Sequence, residues 1–167
     1  YRGEERLFPD SRGVFTVYEG DEITFWGQAD DSSNDIESLV HVWKPDAEYQ
    51  PEINSTSTGV RSTLSGVSYN TSGMHLATLQ VFDDDGEGTE VLIVPIQVAN
   101  VIPEISPMTT ILGDLEEDQE FTISPVVSDT GNDSDSLLYC FDLDPSTDQD
   151  SDGVPENDCD VQSTTLV

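Results

Sequence analysis

Residues 19–46 (EGDEITFWGQADDSSNDIESLVHVWKPD) recur without gaps as residues 117–144 (EDQEFTISPVVSDTGNDSDSLLYCFDLD), at an offset of 98. Glu19 meets Glu117, Glu22 meets Glu120, Thr24 meets Thr122, Asp31 meets Asp129, Asn34 meets Asn132, Leu39 meets Leu137 and Asp46 meets Asp144. The apolar positions agree as well: Ile23 and Phe25 fall on Phe121 and Ile123, and His41 and Trp43 on Tyr139 and Phe141. Each set recurs at every second residue, the period of a half-buried strand and not of a helix. A period of roughly 100 residues is the length of one two-sheet sandwich. The sequence therefore predicts an all-β chain of tandem antiparallel β-sandwiches, complete over residues 1–100 and incomplete over residues 101–167. At the same offset Val167 answers to Tyr69, so the second copy is expected to stop early. The chain opens on Tyr1 without a signal-like apolar stretch, which reads as a processed or excised piece of a longer precursor.

A net charge of -30, from 35 acids against 5 bases, argues against nucleic acid or an anionic membrane as partner, because both demand basic surface. High charge also raises the prospect of disorder. Yet 43 of the 167 residues are Leu, Ile, Val or Phe, a fraction above the roughly 20 % below which disorder becomes the default, so a folded chain is expected. Repulsion among the carboxylates calls for relief by bound divalent cations or by a salty medium, and the two are compatible. The longest apolar run, residues 91–98 (VLIVPIQV), is too short to span a membrane as a helix and contains Pro95.

Strands are predicted over residues 15–18, 22–29, 38–44 and 59–69, with residues 30–35 (DDSSND) as a turn-rich connection. Residues 74–82 and 89–98 read as a hairpin about the turn at residues 83–88 (DDDGEG). Arg2, Arg6 and Arg12 place three of the five bases in the first thirteen residues. They are either ordinary surface arginines on a short edge strand or an assembly contact for an acidic neighbour.

VYEGDEITFWGQADD, Trp43 near a strand end, Gly73 followed by HLATLQVFDDDG, and the exit VANVIPEI together resemble the polycystic-kidney-disease type of immunoglobulin-like repeat. The resemblance covers nearly all of the first copy and half of the second. The family's Trp-Asp-Phe-Gly-Asp-Gly motif is degraded to residues 43–46 (WKPD) and 141–144 (FDLD). The resemblance implies an extracellular or cell-surface module, used in tandem, that spaces, adheres or assembles and carries no catalysis.

An acidic loop spans residues 142–160. Within it Asp148, Asp150 and Asp152 alternate ahead of Gly153, the D-x-D-x-D-G arrangement in which carboxylates at every second position converge on a hard cation and glycine permits the sharp turn. Val154 would add its carbonyl, and Glu156 and Asp158 could complete the shell. The twelfth position is Cys159 rather than Glu and no helical pattern flanks the loop, so it resembles a thrombospondin type 3 loop more than an EF-hand. Calcium is the expected ion; a solvated acidic loop is the alternative. A weaker set comprises Glu19, Asp31, Asp83, Asp85 and Asn100, which in cadherin-like arrays would meet at a junction.

Cys140 and Cys159, the only cysteines, bracket this loop and read as one disulfide of an exported protein, against the alternative of two cytosolic thiols. Sequons at Asn54, Asn70 and Asn132 agree with export and glycosylation. His41 and His75 fall on the buried face of strands and are expected to be satisfied core residues. No nucleophile elbow, phosphate loop or zinc spacing occurs, so no enzyme is expected. The sequence favours a calcium-stabilised structural or adhesive module whose partners are other copies of itself or neighbouring surface domains. Head-to-tail polymers by strand complementation would follow if the second copy accepts a strand. The alternative is an accessory substrate-binding module of a secreted hydrolase, with Trp26 as its exposed aromatic.

Overall fold

The computed structural model describes residues 1–31, 36–47, 49–50, 55–106, 125–130, 133, 136–142, 146–148, 151 and 159–164. Among them every regular element is a strand, no α-helix occurs, and no helix is long and apolar enough to cross a membrane. The chain divides into two compact units, Tyr1–Val101 and Ile102–Val167.

The first unit holds seven strands: β1 (Phe15–Tyr18), β2 (Ile23–Gln28), β3 (Val40–Lys44), β4 (Ser55–Thr58), β5 (Arg61–Val67), β6 (Gly73–Phe82) and β7 (Leu92–Ala99). They form a five-stranded sheet in the order β1-β7-β6-β3-β4 and a second sheet of β2 and β5. Alternation decides which side chains face inward. On β6, His75, Ala77, Leu79 and Val81 are buried while the residues between them are not. His41 and Trp43 do the same on β3, and Ile96 and Val98 on β7. Val17, Ala77, Ile96 and Val98 from the larger sheet cluster with Ile23 and Val67 from the smaller, so the sheets share a core. Each such buried Val, Leu or Ile contributes about 1.5–3 kcal/mol.

A second cluster gathers Leu39, Trp43, Leu79 and Val81 against Phe25 and Leu64. Trp43 lies under β2, donating its indole N–H to Ser62 Oγ at 2.9 Å. Only glycine fits above it, because a Cβ on Gly27 would come within 2.9 Å of both the Trp43 ring and Ser62 Oγ.

Two features depart from the sequence expectation. The larger sheet is not wholly antiparallel, since β1 joins β7 in parallel with Phe15 opposite Ile96. Parallel neighbours need a long crossover, and here the rest of the unit supplies it. The second departure is β4, an edge strand of sequence STST that pairs only with β3 and carries no apolar side chain for a periodicity to register.

In the second unit β8 (Glu104–Ile105) pairs with β9 (Val127–Ser128), and β10 (Tyr139–Phe141) with β11 (Val161–Ser163), both antiparallel. Tyr139 faces Ser163 and Phe141 faces Val161, as His41 faces Ser57 and Trp43 faces Ser55 in the β3–β4 pair. The offset is 98 from His41 to Tyr139 but 106 from Ser57 to Ser163. Eight extra residues therefore lie in the loop between β10 and β11. Strand register is fixed by pairing whereas a loop absorbs insertions. The gap-free repeat ends at this loop, and carrying the register on sets Val167 against Arg61 rather than Tyr69.

Candidate functional site

The acidic loop is the segment that the second unit adds to a hairpin common to both. Its ends are held twice. Asp160 N–H donates to the Phe141 carbonyl at 3.0 Å where β10 meets β11. Cys140 and Cys159, 19 residues apart, stand at disulfide distance with Cα atoms 5.3 Å apart. Cys140 lies on the exposed face of β10, between the half-buried Tyr139 and Phe141, as strand alternation requires. The crosslinked segment belongs to a stretch with eight carboxylates between residues 142 and 160. Of the expected ligands, Asp148 is described and half-buried, whereas Asp150, Asp152, Val154, Glu156 and Asp158 lie outside the described residues. Ser151, between two of them, has a left-handed φ of 62°. Among the described residues no three acidic, histidine or cysteine side chains gather into a metal cage.

The weaker set divides between two ends of the first unit. Glu19 and Asn100 follow β1 and β7, whose paired last residues are Tyr18 and Ala99. Asp83 and Asp85 follow β6, which starts opposite Val98 and ends opposite Val40, so about ten residues of strand, roughly 30 Å, separate them from Glu19. Asp31 belongs to their end, where Asp30, Asp31, Asp83 and Glu87 line one small depression. Glu19 is 3 % exposed; its Oε2 accepts from Val101 N–H at 3.4 Å, and its Oε1 has no partner among the described residues.

The two histidines differ. His75 lies between the rings of Tyr49 and Tyr69, 4.9 and 4.7 Å from their centroids. Its Nδ1 is 2.9 Å from Asp46 Oδ2 and its Nε2 donates to the Thr71 carbonyl at 2.8 Å. Tyr69 donates its hydroxyl to the Pro45 carbonyl at 2.6 Å. Burial, and then the nearby Asp46 carboxylate, push the pKa of Tyr69 well above that of an ordinary phenol. Asp46 also caps the loop that leaves β3, accepting from Tyr49 N–H. These contacts staple the short loop of the first unit. His41, by contrast, is fully buried and both ring nitrogens lack partners among the described residues, so it is a core residue but not a satisfied one.

Two of the three clustered arginines are engaged within their own neighbourhood: Arg2 with Glu5 at 2.7 Å and Asp21 at 3.3 Å, and Arg12 with Asp10 at 2.8 Å. Arg6 lies over the ring of Phe8, 5.3 Å from its centroid. Trp26 is 61 % exposed, beside Tyr1 with 6.0 Å between ring centroids, and borders an apolar cleft of about 420 Å³ that also includes Phe15, Phe25 and Leu92. Asn70 is exposed; Asn54 and Asn132 lie outside the described residues.

No family model, no curated protein and no solved structure matches the chain. Sequence reasoning did not anticipate the His75–Asp46–Tyr69 staple. Its only advance signal was Asp46 recurring as Asp144, because Asp46 and His75 are 29 residues apart and only the fold brings them together.

Proposed function

We propose that the chain is a non-catalytic, calcium-stabilised structural or adhesive module of an extracellular or cell-surface assembly, built of tandem immunoglobulin-like β-sandwiches and glycosylated at exposed asparagines. The observation that carries this reading is the loop between β10 and β11, dense in carboxylates and tied at its root by Cys140 and Cys159. A crosslink removes conformations from the unbound loop, so less ordering opposes the ion when it arrives. The alternating aspartates from Asp148 onward supply hard oxygen ligands, which suit calcium better than magnesium because magnesium sheds its water reluctantly. Two sheets with a shared core in the first unit, and a hairpin of the same register in the second, support the tandem reading. The cysteine pair fits an oxidising compartment. With -30 net charge, partners of the module are protein surfaces rather than nucleic acid.

Thermal unfolding of the full chain in millimolar calcium and in chelator tests the proposal. Calcium at a hundred times its dissociation constant stabilises the second unit by about 2.7 kcal/mol, and magnesium at equal concentration does much less. An identical midpoint in calcium and chelator overturns the reading.

A further inference from the structure

His41, the second residue of β3, sits on the core face, opposite Ser57 of β4 on one side and Val81 of β6 on the other. It is 0 % exposed. Neither ring nitrogen has a hydrogen-bond partner among the described residues, and the Ser57 hydroxyl beside it is buried and unpartnered as well. A buried polar group without a partner is costly, and a buried unpaired charge far more so. Among the described residues its cross-strand neighbours do not titrate: β4 places Ser57 and β6 places Val81 opposite it, while Leu39 and Trp43, two residues away on either side along the chain, belong to an apolar cluster with Leu79 and Val81. Burial pushes the imidazole pKa down.

We propose that His41 is an acid-triggered release for β4, whose detachment lets the protonated imidazole reach water and uncovers the edge of β3. The four residues of β4 are the cheapest cover to remove. They are all serine or threonine, they pair with β3 alone, and none belongs to either core cluster. The opposite neighbour, β6, carries Ala77, Leu79 and Val81 in the core and cannot leave without it. Once β4 is out, its backbone groups bond to water and β3 offers a free edge for another strand. The device belongs to the first unit only, because Tyr139 occupies the matching place opposite Ser163.

The sign follows from proton linkage. The closed form holds the imidazole pKa below its ordinary value of 6.5, to which it returns once the ring reaches water. Opening therefore increases as pH falls below that value, by at most about tenfold at pH 5.5 relative to pH 8. Amide hydrogen exchange of the full chain, corrected for the intrinsic pH dependence, reads this directly. The expected result is that protection of β4 falls, by up to about tenfold, between pH 8 and pH 5.5 while β6, β7 and the β10–β11 hairpin change little. In His41→Leu the pH dependence of β4 disappears; His41→Gln serves the same arm if the leucine variant misfolds. His75 remains in both variants, so a response that survives them overturns the proposal. So does β4 protection that is flat with pH, or a loss shared equally by β6 and β7.

Discussion

The β3–β4 hairpin of the first unit and the β10–β11 hairpin of the second share one register and differ in what secures the loop between their strands. In the first, a loop of ten residues, 45–54, is held by buried hydrogen bonds: Asp46 on His75, and Tyr69 on the Pro45 carbonyl. In the second, eight more residues and a high density of carboxylate rule out that solution. No burial could satisfy so many charges. A covalent tie between Cys140 and Cys159 takes its place, outside the core on the exposed face of β10. The lesson is that a conserved strand pairing can carry loops of opposite chemistry, provided each brings its own fastening.

Three substitutions sharpen that contrast. Trp43→Ala removes the ring beneath Gly27 and leaves Ser62 without its indole donor, so the first unit loses about 3–5 kcal/mol of stability. Chemical denaturation followed by first-unit reporters would measure it, and a loss below about 1 kcal/mol contradicts the central place given to this ring. Cys140→Ser opens the second-unit loop and costs about 3 kcal/mol on the chain-entropy estimate, with the first unit unaffected. If both units weaken equally, the fastenings are not separate. Asp46→Ala strips His75 of its buried partner and frees the first-unit loop, costing about 1–3 kcal/mol. Proteolysis should then cut between residues 45 and 54 faster, whereas cleavage between residues 142 and 160 stays as before.

What could be read in advance follows what strand periodicity can carry. Ile23 and Phe25, His41 and Trp43, and the run from His75 to Val81 announce their strands because their inward side chains differ from their outward ones. Residues 55–58 announce nothing, since Ser and Thr stand on both faces of β4 and its place is set by backbone pairing to β3. The parallel contact of β1 with β7 joins residues 81 positions apart, beyond the reach of any local pattern. The inserted residues were hidden for a different reason. The repeat matches without gaps up to Asp144, and only the pairing of Tyr139 with Ser163 shows that the register afterwards has moved. At the acidic loop the alternating aspartates and the flanking cysteines were visible in the sequence because ligand spacing and crosslinks are themselves sequence patterns. The lack of a partner for His41 among the described residues was not, because whether a core imidazole finds one depends on what the neighbouring strands β4 and β6 bring near it.

Calcium titration calorimetry of the full chain with its disulfide intact, beside Asp150→Asn and Cys140→Ser, is the most direct test of the account. Saturable calcium binding is expected, lost in Asp150→Asn and weakened in Cys140→Ser. Absence of saturable binding by the unaltered chain at millimolar calcium, or equal binding by all three proteins, would contradict it.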